Sequence, residues 1–259
     1  MLKLCLFGAT CVVGLATPGL ASAQVVWEGT AGVDYSSGKY GGTEDTRVLY
    51  APIGLRAQTD RWRFEFAVPY LNIRGPEGAV GGGVVVPGSG VVSSRSGLGD
   101  VTLSAAYQVM PSGGQGLSLE VGGALKFPTA DVNLGTGETD YSLLVSAQLP
   151  MGDRFRLTGS LGYSWLGDPQ LYELEDGVTA SLGATYDVSS RASLGLIGSY
   201  RAEYFAGLGE QTQLNPFVSF RSASGWSFTG YGTIGVSDAA PDYGAGVQLG
   251  RTRPVMTAF

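Results

Sequence analysis

Seven side chains mark where solute chemistry could occur: Arg56, Arg63, Glu65, Glu120, Arg154, Arg156 and Arg221. They alternate with rings and aliphatic groups, as in Arg61-Trp62-Arg63-Phe64-Glu65-Phe66 and Arg154-Phe155-Arg156-Leu157. Successive side chains of a β-strand point to opposite faces. One face therefore collects guanidinium and carboxylate groups, and the other collects apolar ones. If the charged face is enclosed, these groups, with Glu28 and Asp187, could form a constriction that screens solutes by charge and size. They could equally neutralise one another as a salt-bridge network filling a barrel interior. The residue types leave both readings open.

Other chemistries are poorly supplied. The chain contains no His, which removes the usual general base and the commonest metal ligand. Its 2 cysteines, Cys5 and Cys11, both lie near the N-terminus. A lipase-type Ser–His pair cannot be built. The lysines beyond Lys3 are Lys39 and Lys126, and neither sits in a nucleophile motif. Asp131-Val132-Asn133-Leu134-Gly135 has calcium-like spacing but lacks the remaining acids and the flanking helices of such sites. No catalytic residue, metal site or cofactor is expected. A formal charge of −6 does not suggest a nucleic-acid partner.

The first 23 residues have the layout of a secretory signal peptide: Lys3, an apolar run from Leu4 to Leu15, and Ala21-Ser22-Ala23 before the expected cleavage. The apolar run is shorter than the ~20 residues a membrane-spanning helix needs. Cleavage would remove both cysteines and leave one domain, 24–259, carrying 15 basic against 22 acidic residues. The 42 glycines and the absence of helical apolar spacing indicate β-structure with many turns.

Alternation predicts twelve strands, near 25–35, 46–57, 61–73, 99–109, 117–127, 139–149, 154–165, 177–187, 191–204, 212–222, 225–236 and 242–250. The alternation is less regular near Tyr231, which leaves room for a bulge there. Strands of about ten residues are long enough to cross a bilayer when tilted. Their connections alternate between short turns and longer loops, as in outer-membrane barrels. On the apolar face, Trp27, Trp62, Phe64, Tyr107, Phe155, Tyr186, Phe220, Trp226 and Phe228 lie toward the short turns. Tyr35, Tyr70, Phe127, Tyr141, Tyr163, Trp165, Tyr200, Tyr204 and Tyr243 lie toward the long loops. Two aromatic girdles around an aliphatic band fit a bilayer with two interfaces. A soluble sandwich would place its largest rings in mid-core. The fold expected is all-β: a single antiparallel transmembrane β-barrel of about twelve strands, following a cleaved signal peptide.

Two segments carry a resemblance. Gly97-Leu98-Gly99-Asp100 opens a strand, and Lys126-Phe127-Pro128-Thr129 leads to Gly135-Thr136-Gly137 and Thr139-Asp140-Tyr141-Ser142. With Val68-Pro69-Tyr70 they resemble the bacterial family named for a MetA pathway of phenol degradation. The resemblance implies an outer-membrane barrel that moves small solutes, some of them apolar or aromatic. A non-conducting barrel with a structural or surface-interaction role is the alternative.

Expected surroundings follow. Outer-membrane lipid and lipopolysaccharide would surround the barrel, and the terminal Phe259 would be read by the barrel-insertion machinery. Arg251-Thr252-Arg253-Pro254 interrupts strand character near the end, so the last strand either stops near Gly250 or is irregular. The glycine-rich loop 75–97 either folds into the barrel mouth or extends a hairpin, the second being favoured because long loops usually lie at the surface.

Overall fold

A computed structural model of the chain describes residues 25–76, 78–80, 84–86, 92–110, 116–131, 134–169 and 173–255. The expected signal peptide and Phe259 lie outside these residues. The elements are β1 (Val25–Gly38), β2 (Thr46–Gln58), β3 (Trp62–Gly75), β4 (Gly78–Val80), β5 (Val84–Val86), β6 (Ser93–Leu98), β7 (Val101–Met110), β8 (Ser118–Phe127), β9 (Asp140–Met151), β10 (Phe155–Trp165), β11 (Gly177–Asp187), β12 (Ala192–Arg201), β13 (Gln211–Arg221), β14 (Trp226–Gly235) and β15 (Tyr243–Val255).

Each wall strand pairs antiparallel with its sequence neighbours, and β1 pairs with β15, so the sheet closes on itself. β6 and β7 both pair with β3 and together make one wall strand, giving a twelve-stranded barrel. Closure satisfies the edges that an open sheet would expose to lipid. β4 and β5 form a separate hairpin. Within the loop expected at 75–97, β6 continues the ladder with β3 as far as Gly75 opposite Ser93, so this segment extends the wall.

The burial pattern is inverted relative to a soluble protein. Ile53, Leu161, Leu182 and Leu143 are 68%, 61%, 70% and 55% exposed at mid-strand positions. On the opposite parity Glu28, Arg56, Arg63, Glu120, Lys126, Ser142, Thr185, Ser193, Asn215 and Gln248 are buried. Leu, Ile and Val outward with polar groups inward is the arrangement a hydrocarbon surround selects. Trp27, Trp62, Phe64, Phe155, Trp226 and Phe228 form the exposed girdle toward the short turns. There Trp62 packs against Tyr107 at 4.9 Å, and Arg251 covers Trp226 at 4.9 Å. Tyr35, Tyr70, Tyr141, Tyr163, Trp165, Tyr200 and Tyr243 form the other girdle.

Three details differ from the expected pattern. Tyr204 lies beyond the end of β12 and is buried against Leu174, not placed in the lipid-facing girdle. No register shift occurs at Tyr231: the β13–β14 pairs Gln213↔Gly235 and Leu214↔Ile234 keep the same offset as those from Phe217↔Tyr231 to Arg221↔Ser227. Tyr231 keeps the inward parity and reaches Asp34. The last strand does not stop at Gly250: β15 continues through Pro254, opposite Val26. Its two arginines are tolerated because they lie at the short-turn rim on the outward parity, at headgroup level, where cationic side chains snorkel.

Candidate functional site

The lumen carries two chemically distinct regions. Toward the short turns, Glu28 of β1, Arg56 of β2 and Glu65 of β3 sit directly opposite one another in register. Cross-strand alignment brings their ends together. Arg56 donates to Glu28 at 2.7 Å through Nη1 and to Glu65 at 2.5 Å through Nε. Arg63, two residues along the same face of β3, donates to Glu65 at 2.7 Å and also to Glu120 of β8. Five groups from four strands thus share one buried network. In low dielectric each charge would be costly alone and is held by its neighbours.

Across the barrel Arg156 of β10 donates to Asp187 of β11 at 2.8 Å. Arg221, the last residue of β13, has lumen parity and feels the charges of Glu28 and Arg156. Six of the seven expected site residues therefore lie on the lumen face near the short turns. Arg154 does not. It falls in the turn before β10, where alternation no longer applies, and it is fully exposed. Its guanidinium donates to the Tyr186 hydroxyl on the outer girdle, which raises its pKa further above the ordinary range.

From the short turns to the long loops, the wall from β9 to β14 carries pairs of hydroxyl and amide groups, with the apolar Ile197 and Phe217 buried among them. Ser142 bonds Ser164 at 2.9 Å, Ser160 bonds Ser181 at 2.7 Å, and Ser193 bonds Ser219 at 2.8 Å. Asn215 donates to Thr233 at 2.9 Å.

Toward the long loops the lumen face changes character. β3 turns from Arg63 and Glu65 to Leu71 and Ile73, and β2 turns from Arg56 to Val48 and Tyr50. Leu71 and Ile73 are buried beneath Tyr40, from the loop after β1, and Leu134, from the segment between β8 and β9. Because Leu71 and Ile73 have inward parity, Tyr40 and Leu134 lie on the inside of the wall. In the connections that follow β10 and β12, Leu174 and Tyr204 form a second apolar cluster with Leu166 and Phe205.

The segment carrying Leu134 is held by the motifs quoted above. The β3 partner strand gains one residue across Gly99-Asp100: Tyr70 faces Leu98, but Ala67, three residues back, faces Thr102, four residues on. This bulge lets Leu98 face outward while Asp100 turns inward, 2% exposed. Asp100 accepts from the backbone N–H groups of Thr129 and Ala130 at 3.1 and 3.0 Å. Lys126 then bridges Asp100 at 3.3 Å, Asp140 at 2.8 Å and Thr136 at 2.9 Å. Asp131 accepts from the Leu98 N–H at 2.8 Å, so its carboxylate is engaged in fixing the chain. Two glycines are required by contact. A Cβ at Gly97 would stand 2.1 Å from the Asp131 carboxylate, and one at Gly135 would stand 2.8 Å from that of Asp100. Sequence reasoning found these residues through resemblance but missed their role as a clasp, since no spacing rule relates residue 100 to residue 130.

The acidic loop before β11 also works locally. Asp168 accepts from the Leu174 N–H and Asp176 from the Leu166 N–H, at 3.2 and 2.9 Å.

Solved structures share this architecture. An outer membrane channel from Pseudomonas putida F1 superposes with TM-score 0.70 at 14% identity, over 92% of this chain and 100% of that one. The NanC porin gives TM-score 0.55 at 9% identity, over 88% and 100%. The transport unit of the autotransporter AIDA-I from Escherichia coli gives 0.54 at 12%, over 93% of each chain. These are membrane barrels, and the chain has the bacterial outer-membrane barrel fold, with lipid as its surround. No curated protein sequence matches it. Residues 22–252 match the family described as "Putative MetA-pathway of phenol degradation", and the chain belongs to that family.

Proposed function

We propose that the protein is a passive outer-membrane channel for small solutes of apolar or aromatic character. The observation that carries this reading is the closed barrel with a polar interior, whose long-loop mouth is narrowed from inside the wall by the apolar cluster of Tyr40, Leu71, Ile73 and Leu134. These side chains cover one another, and an apolar solute leaving water gains from them where their cover moves aside. The long loops are extracellular in this reading. A solute would meet the apolar cluster first and the charged groups at the periplasmic end last. The lumen residues Arg56, Arg63, Glu65, Glu120, Arg156 and Arg221 act as a constriction, and no catalysis is involved. Residues 1–23 serve as the export signal, Phe259 is read by the insertion machinery, and lipopolysaccharide contacts the outer leaflet side.

The test is flux into proteoliposomes of benzyl alcohol and of a sugar of similar mass, with planar-bilayer conductance alongside. Faster benzyl alcohol flux over empty liposomes supports the reading. The inward-held Leu134 segment favours a second reading, a closed barrel with a surface role. Folded protein that passes neither solute nor current would establish that one instead.

A further inference from the structure

The charged groups at the periplasmic end have an order that the individual ion pairs do not reveal. Around the barrel they run Glu120 on β8, Arg63 and Glu65 on β3, Arg56 on β2, Glu28 on β1, Arg221 on β13, Asp187 on β11 and Arg156 on β10. The sign alternates at every step. Four acids and four arginines close the circuit with no net charge. All lie near the short-turn ends of their strands: Asp187 and Arg221 are the last residues of β11 and β13, and Arg156 is the second of β10.

We infer that these eight residues form a charge-neutral ring that selects small uncharged solutes, with Arg221 as the residue that sets its sign. The inference rests on the channel reading. A ring of alternating charges cancels toward its axis, while close to the wall each charge is matched by its neighbour. An ion entering a narrow lumen loses hydration, and only a net opposite charge along the path restores that energy. A neutral ring offers that compensation to neither sign. An uncharged solute needs none.

Arg221 differs from the other seven. Each of those belongs to an ion pair of 2.8 Å or less. Arg221 is in none among the described residues; it is half-buried and feels the charges of Glu28 and Arg156. Its removal breaks no pair and leaves three arginines against four acids. Glu120 offers the opposite change, because Arg63 keeps Glu65 when Glu120 is neutralised.

The experiment compares wild type, Arg221→Gln and Glu120→Gln in planar bilayers under a KCl gradient at low ionic strength, with benzyl alcohol and benzoate flux in liposomes. Heat-modifiable gel migration verifies that each variant is folded. One unit charge about 10 Å from a permeating ion in a watery lumen corresponds to a change of about two- to fourfold in cation-over-anion permeability. The ratio is expected to rise by that factor in Arg221→Gln and to fall in Glu120→Gln. Benzoate flux should drop in Arg221→Gln by more than benzyl alcohol flux changes, so that the ratio of the two falls. Folded, conducting variants with unshifted ratios, or with shifts of the same sign, overturn the inference and leave the channel reading intact. A wild-type protein silent to current and to benzyl alcohol overturns the channel reading and the ring's role as a filter together.

Discussion

The same two strands build both ends of the lumen, by different means. At the short-turn end β2 and β3 contribute Arg56, Arg63 and Glu65, which find their partners directly across the ladder or two residues along it. At the long-loop end the same strand faces offer Val48, Tyr50, Leu71 and Ile73, whose cover arrives from loops far away in sequence. Charges are satisfied by neighbours in register, since a buried charge tolerates no gap. Apolar wall residues need only be kept from water, and any segment that can be held over them will do. The charged end is therefore fixed by the barrel itself. The apolar end depends on whatever clamps the covering segment, chiefly the Asp100 carboxylate and Lys126.

The largest expected effect comes from releasing that clamp. Asp100→Ala removes an acceptor of two backbone N–H groups and one of two carboxylates around Lys126. Breaking a buried pair from one side typically costs about 3–5 kcal/mol. Denaturant unfolding in detergent should show that loss, and single-channel conductance should rise as Leu134 leaves the mouth. Charge selectivity should stay put, because the ring at the short-turn end is untouched. A stability loss without a conductance change would mean that Asp100 does not hold the segment in the mouth. A smaller effect tests the inversion on which both lumen regions depend. Leu143→Arg places a charge on the lipid face of β9, opposite in parity to the buried Ser142. It should cost about 2–4 kcal/mol in a lipid folding assay. A neutral result would assign Leu143 to the lumen and both regions to the outside.

The contrast between the two ends also explains what could be read from the sequence. Alternation places Arg56, Arg63, Glu65, Glu120, Arg156 and Arg221 on one face without knowledge of any partner, because parity is a local property. It fails at Arg154, one residue before β10, where the turn sets the side-chain direction instead. It assigns Tyr204 to the lipid for the same reason, although β12 has already ended at Arg201. The Gly99-Asp100 bulge was invisible: a single inserted residue reverses parity, and only the pairing register of β3 with both β6 and β7 exposes it. Arg251 and Arg253 interrupt the apolar alternation, which leaves open whether the last strand stops or is irregular. They keep strand pairing because the rim of the barrel, unlike its middle, accepts charge on the outer face.

Tyr40 gives the smallest of these effects and a direct probe of whether the apolar end is dry. It lies in the loop between β1 and β2, outside the spanning strands, with its hydroxyl donating to Ser36 at 2.8 Å. Burial pushes its pKa from 10 up to about 12; the Ser36 bond opposes the shift, and the charges of Asp34 and Asp242 add to it. Below pH 10 both folded and unfolded chains carry the neutral phenol, and the packing of Tyr40 contributes in full. Between pH 10 and 12 the unfolded chain loses this proton while the folded one retains it, so stability falls as pH rises. Two pKa units correspond to about 2–3 kcal/mol, lost by the time pH passes the folded value. Phenolate absorbance of the folded protein should show a late-titrating tyrosine that is absent in Tyr40→Phe, and that variant should lose less stability over the same interval. A Tyr40 that ionises near pH 10 in the folded barrel would mean that water reaches its ring. The long-loop end would then be as wet as the charged end, and the distinction between them would fail.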